Sequence, residues 1–229
     1  MLYNLFSSIH SLEIFKYISS RSCLAAFTAF FISIFFGHWF IKKLRVLKVG
    51  EDTTKKDSEE LKRMHFDKKN TPTMGGIIVI ISILISTLLW CNIYNEYVLL
   101  LMFTLIWFGV LGFIDDYIKL TQKNVPGLTD VSKLLFQSAL GLISGLILYF
   151  HFTKFTWGTQ LAIPFIKDFN PDVGPFYILI AAFFVVGMSN AVNLTDGLDG
   201  LAIGCSIIAG IAFAVVAYIS GRVDFSNYL

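Results

Sequence analysis

The segment PFYILIAAFFVVGMSNAVNLTDGLDG (175–200) decides the fold. It opens with an uncharged, mostly apolar run of about 18 residues, 175–192, close to the ~20 that a helix needs to cross hydrocarbon; the end of this run overlaps the polar cluster at Asn190. It then runs at once into two asparagines, two aspartates and two glycines, and a further apolar run follows. A membrane-length helix that delivers a polar cluster, then a second such helix, is the pattern from which the rest of the chain is read.

Five other uncharged apolar segments share this length: roughly 22–41, 74–92, 97–114, 134–153 and 200–221. None of the six contains Asp, Glu, Lys or Arg. With 55% hydrophobic residues, 23 Phe, 15% charged residues and a mean hydropathy of +0.69, the 229 residues are too apolar for a soluble domain. The expected fold is all-α: a single polytopic transmembrane domain over 1–229 with about six spanning helices. Residues 1–21 are patchily apolar and carry Glu13, Lys16 and Arg21, which fits a retained amphipathic segment better than a cleaved signal.

Orientation follows from Lys and Arg in the connections. Residues 42–73 carry ten, 115–133 three and 190–199 none, against Lys16, Arg21, Lys154, Lys167 and Arg222 on the other side. Both termini are therefore expected outside. Cys23, Cys91 and Cys205 lack paired spacing, and His10, His38, His65 and His151 are scattered, so neither a disulfide framework nor a zinc site is indicated. A net charge of +2 leaves no nucleic-acid footprint.

This topology puts three polar stretches on the cytoplasmic side: KKNTPTMGG (68–76), DDYIKLTQKNVPGLTDVSK (115–133) and NAVNLTDGLDG (190–200). Asp115 and Asp116 are read as closing the third span, where a helix C-terminus disfavours negative charge by roughly 0.3 to 1 kcal/mol per group and only Lys119 at i+4 offers local relief. A cation or a positively charged surrounding would resolve that conflict. Asn190, Asn193, Asp196 and Asp199 recur every three residues, so a helical turn would line them up as an oxygen-bearing stripe suited to Mg²⁺, ribose hydroxyls or uracil amides. In TPTMGG, Thr71 is a plausible N-cap with Pro72 at the first helical position, and Lys68 could hold phosphate against exposed backbone N–H groups. Lys119, Lys123 and Lys133 add cations to this face. Asp130 reads as a cap for the fourth span, and Gln137 and His38 as packing or interfacial groups.

Carboxylates, amides and lysines gathered at a membrane surface suit a reaction between a lipid phosphate and a soluble diphosphate donor. Mg²⁺ would neutralise charge on the leaving phosphate, lysines would hold phosphate oxygens, and a carboxylate would act as general base. Two other classes fit less well. A cation-coupled transporter usually places an ionisable group near the midplane of a span, and the six segments have none; a non-catalytic scaffold would leave the clustered acids incidental.

TPTMGG, the Asp115–Asp116 pair, the KxxxQ of Lys133 to Gln137 and NAVNLTDGLDGLA together resemble the phospho-N-acetylmuramoyl-pentapeptide transferases, of the polyprenyl-phosphate phosphosugar transferase superfamily. The resemblance runs from about residue 20 onward, and the first and last motifs set it apart from relatives that transfer N-acetylhexosamine 1-phosphate, the alternative activity. It implies transfer from UDP-N-acetylmuramoyl-pentapeptide to undecaprenyl phosphate with release of UMP, dependent on Mg²⁺, at the cytoplasmic face of the bacterial plasma membrane, and it is compatible with a homodimer. Carried over residue by residue, Asp115 and Asp116 match the catalytic pair, with Asp115 the candidate base. Lys68, Thr73, Asn190, Asn193, Asp196 and Asp199 match positions lining the nucleotide and metal pocket, with Asn193 and Asp196 toward the metal, and Lys119 and Lys133 match basic positions nearby. The family usually runs to about ten spans, with a later aspartate and a histidine-rich motif completing the site. The chain is therefore expected to be an N-terminal fragment, inactive alone.

Overall fold

The computed structural model describes residues 17–46, 73–122, 127–155, 158–163, 166, 169–198 and 200–221. Among the described residues six helices follow in order: α1 (Ile18–Val46), α2 (Gly76–Trp90), α3 (Glu96–Thr121), α4 (Asp130–Phe152), α5 (Phe176–Thr195) and α6 (Leu201–Ser220). All but α2 are long and apolar enough to cross a membrane. Large apolar side chains remain uncovered along them: Phe35, Phe183 and Phe213 are all at least 70% exposed, and no residue of α6 is buried. Such a surface is untenable in water and ordinary against lipid. The chain is an integral membrane protein of all-helical build.

Three departures of the helix boundaries from the apolar segments have local reasons. α1 extends through Val46 because Lys42, Lys43 and Arg45 suit a helix C-terminus, and the Lys43 ammonium lies 5.2 Å from the centre of the Trp39 ring. α2 is shorter than the expected 74–92. Met74 takes a left-handed backbone (φ 68°) and Cys91 an extended one, so both ends are cut. Its 15 residues reach only ~22 Å at 1.5 Å per residue. α3 continues to Thr121, and Asp115 and Asp116 therefore sit inside it, more than a turn before its end.

The chain divides into two compact units, residues 1–136 and 137–229. In the first, α1 packs on α2 and α2 on α3. Small hydroxyl residues make the α1–α2 contact close: Ser82 and Ser86 are buried, the Ser86 hydroxyl donates to the Ala25 carbonyl at 2.5 Å, and the Trp90 indole N–H donates to the Thr28 hydroxyl at 3.0 Å. The connection to α3 is a five-residue turn ended by Asn95, whose side chain accepts from the Tyr97 and Val98 N–H groups, so α2 and α3 run antiparallel.

In the second unit, α4 meets α5 through Gly141 and Gly145, one turn apart. A Cβ on Gly141 would lie 2.7 Å from Ala182 Cα, and one on Gly145 2.8 Å from the Ile178 carbonyl oxygen. Glycine at both positions lets the backbones touch, which is how membrane helices gain contact without a hydrophobic driving force. Gln137, also buried, joins the same helices: its amide N–H donates to the Ser189 hydroxyl at 3.1 Å.

Between α4 and α5 the chain folds back on itself at an isolated bridge from Gln160 to Asp172. The Asp172 carboxylate accepts from the Thr159 hydroxyl and, at 3.0 Å, from the Gly174 N–H. The Thr159 hydroxyl first, and the Gly174 N–H second, hold this carboxyl below the usual aspartate value. A depressed folded value means that the brace contributes above the unfolded pKa and is lost as pH falls through the folded one. Asp172→Asn should therefore speed hydrogen exchange at the Gly174 amide near neutral pH, and the two proteins should converge on acidification below the aspartate range. A difference that persisted unchanged at low pH would mean that the carboxylate charge contributes nothing to the turn.

Candidate active site

Near the end of α3, Asp115, Asp116 and Lys119 occupy one and a half turns. Asp115 is almost enclosed, its side chain 14% exposed. Its Oδ2 lies 2.9 Å from Lys119 Nζ, its Oδ1 lies 3.1 Å from Lys133 Nζ, and the Leu128 N–H donates to Oδ1 at 2.8 Å. The loop reaches this carboxylate through Gly127, which is buried with φ at 98°; a Cβ there would come within 2.5 Å of Asp115 Oδ1. Only glycine combines that backbone angle with that approach. Asp116 differs: its side chain is 33% exposed, and the Lys119 ammonium stands 3.7 Å from its Oδ1.

The two adjacent acids therefore have separate environments. The repulsion expected between them is answered by the protein's own cations: Lys133 supplies a second ammonium that helical spacing around Asp115 does not reveal, and the Leu128 N–H adds a third donor. Asp115 has its negative charge committed to these groups, while Asp116 keeps a partly exposed carboxylate.

Thr73, just before α2, keeps its hydroxyl oxygen buried, with no hydrogen-bond partner among the described residues. Lys68 and Asp199 lie outside the described residues, as do Thr71, Pro72 and Lys123. In the second unit, the Asn190 amide donates to the Gln137 side-chain carbonyl at 3.0 Å and to the Val186 carbonyl at 2.9 Å. Its amino group is thus engaged in holding α4 to α5. The expected four-residue helical stripe is corrected at Asp196. α5 ends at Thr195 and Asp196 is its C-cap with ψ at 48°, so only Asn190 and Asn193 share a continuous helical face. Asn193 and Asp196 are both exposed.

Among the described residues no three or more His, Cys, Asp or Glu side chains gather as a metal cluster. The donor chemistry of Asn193 and Asp196 nevertheless fits Mg²⁺: both are hard oxygen donors, both are exposed, and among the described residues neither side chain is paired with a cation. Mg²⁺ commonly takes one or two protein oxygens and keeps several waters. Asp115 does not fit, because two ammonium groups and an N–H already occupy its oxygens.

Residues 98–228 match the family model described as Glycosyl transferase family 4. The chain belongs to that family. Residues 68–80, which carry Lys68 and Thr73, match phospho-N-acetylmuramoyl-pentapeptide-transferase signature 1. Among curated relatives of this glycosyl transferase family 4 chain, a protein of Desulforapulum autotrophicum named phospho-N-acetylmuramoyl-pentapeptide-transferase is 42% identical over 228 residues, which is 100% of this chain and 62% of the relative. The chain thus spans somewhat under two thirds of that relative's length, and the match includes every candidate residue named above. Sequence spacing alone found Asp115, Asp116 and Lys119 as one group. It did not show that Gly127 and Leu128 close on Asp115; the Pro126–Gly127 turn dipeptide was the available signal.

Proposed function

We propose that this chain serves a phosphosugar transferase of the bacterial plasma membrane, moving phospho-N-acetylmuramoyl-pentapeptide from its UDP donor to undecaprenyl phosphate at the cytoplasmic face. The 42% identity to the relative of that name, over the full chain, carries the reading. The division of labour between the two acids supports it.

In the proposed reaction an oxygen of the acceptor lipid phosphate attacks the sugar-bearing phosphorus of the donor. The bond from that phosphorus to the bridging oxygen breaks, UMP departs with the oxygen and its electron pair, and a new diphosphate joins sugar to lipid. Asp116, the more open carboxylate, takes any proton remaining on the attacking phosphate and keeps it oriented. Asp115 holds Lys119, Lys133 and the 127–128 loop in place beside it. This assigns the base to Asp116 rather than to Asp115, the position expected from the resemblance, because Asp116 is the more exposed of the two and less of its charge is matched by neighbouring ammonium groups. Asn193 and Asp196 would hold Mg²⁺, which when bound supplies charge neutralisation to a diphosphate.

The test is UMP release by the complete protein in detergent with Mg²⁺ and undecaprenyl phosphate. Turnover is expected with UDP-N-acetylmuramoyl-pentapeptide and not with UDP-N-acetylglucosamine. The reverse preference would assign the chain to the hexosamine branch.

A further inference from the structure

The rungs of the α4–α5 contact change in kind along its length. Gly145 meets Ile178 and Gly141 meets Ala182, close enough for backbone to touch backbone. One turn nearer the Asp196 end of α5, the rung is an amide: Gln137 bridges Ser189 and Asn190. Beyond Ala182 no residue of α5 is buried, and Met188, Val192 and Leu194 stand exposed. Among the described residues, the side-chain hydrogen bonds that tie this half of α5 to another helix are those of Gln137.

The direction of these bonds is fixed from one end. The Val186 carbonyl can only accept, so the Asn190 amino group turns to it at 2.9 Å. The second hydrogen of that amino group goes to Gln137 Oε1 at 3.0 Å, which leaves Gln137 Nε2 to donate to the Ser189 hydroxyl at 3.1 Å. With both amino hydrogens engaged, Asn190 has its carbonyl oxygen left to offer, and none of the described residues donates to it. Asn193 shares that face of the helix three residues on, ~4.5 Å along the axis, and Asp196 caps the end.

We propose that Gln137 is a positioning residue for the oxygen-bearing end of α5. It holds the Asn190 amide so that only the carbonyl oxygen faces a ligand, and it fixes the rotation at which α5 delivers Asn193 and Asp196 to Mg²⁺. The inference rests on the reading of Asn193 and Asp196 as the residues that hold the ion, and adds what sets their place. Close glycine contacts bring two helices together but leave them free to roll. An amide that bonds two successive residues, ~100° apart around the partner helix, does not. Helix pairing alone is met by small residues, so a buried amide one turn from the candidate ligands serves orientation.

The test compares Gln137→Met and Gln137→Glu in the complete protein in detergent, with Mn²⁺ binding followed by electron paramagnetic resonance, UMP release titrated with Mg²⁺, and thermal unfolding. Methionine keeps the length of the side chain and breaks both bonds; the Mn²⁺ Kd and the Mg²⁺ concentration for half-maximal UMP release should each rise about tenfold. The KM for undecaprenyl phosphate should stay within about twofold. Glutamate can accept from the Asn190 amino group and, with the Ser189 hydroxyl turned round, from Ser189, so its Mn²⁺ Kd should lie within about threefold of the wild type even where its thermal midpoint is the lower of the two. A role in helix packing alone reverses that order, because methionine suits hydrocarbon better than glutamate and would keep both the midpoint and the metal. Wild-type Mn²⁺ binding by Gln137→Met therefore overturns the proposal, as does binding by Gln137→Glu that is tighter than wild type, which would be an effect of added charge. If UMP is released normally and Gln137→Met binds Mn²⁺ like the wild type, the positioning role fails while the transferase stands. If the wild type releases no UMP yet Gln137→Met weakens Mn²⁺ binding and Gln137→Glu restores it, the transferase reading fails and the positioning role stands.

Discussion

Asp116→Asn should lower kcat by about 10²- to 10⁴-fold with little change in donor KM, the range expected when a positioned acid–base group is lost. Asparagine keeps the size of the side chain and removes both its charge and its basicity. The companion change should behave differently. Asp115→Asn leaves the Leu128 N–H an oxygen to donate to, yet deprives Lys119 and Lys133 of their shared counter-ion in a nearly enclosed position. Both lysines are partly exposed, so the stability cost is discounted from that of a fully buried pair to ~1 to 2 kcal/mol. Its kcat should fall less than that of Asp116→Asn, and its thermal midpoint should fall more. Activity and thermal unfolding measured on both variants in one detergent decide the matter. Equal losses of kcat with an unchanged midpoint for Asp115→Asn would make Asp115 the reacting carboxylate.

The second large effect lies in packing. Gly141→Leu should destabilise the α4–α5 pair by ~2 to 4 kcal/mol, somewhat above the usual cost of overpacking, because the first added carbon meets Ala182 backbone rather than a side chain that could turn away. Separating these helices would also break the Gln137 contacts to Ser189 and Asn190, so the loss should be cooperative. Gly112→Leu is the control, since a Cβ there meets nothing within 4 Å. Comparable thermal midpoints for the two variants in detergent would show that the close glycine contact contributes little.

The helices themselves were legible in the sequence because hydrocarbon imposes its requirement residue by residue. A segment of ~20 apolar residues must satisfy its backbone internally, whatever lies beside it, and six such segments became six helices. The Asp115–Asp116 pair and Lys119 were legible for a similar reason, since neighbours at i+3 and i+4 on a helix meet without help from the rest of the fold.

Tertiary structure decided which of those groups is free to act. Lys133 reaches Asp115 from the start of α4, 18 positions along the chain, because the 127–128 loop turns on Gly127 and presents the Leu128 N–H to the same oxygen. No helical spacing encodes that approach. The same holds for Asn190, whose amide is engaged by Gln137 across a helix contact that two glycines permit, and for Asp196, which left the stripe when α5 ended at Thr195. Span-forming hydrophobicity is a local property of the chain, whereas the pairing of a charge or an amide depends on which backbone is able to come close; the sequence by itself therefore determined the helices and the chemistry available, and the packing assigned the partners.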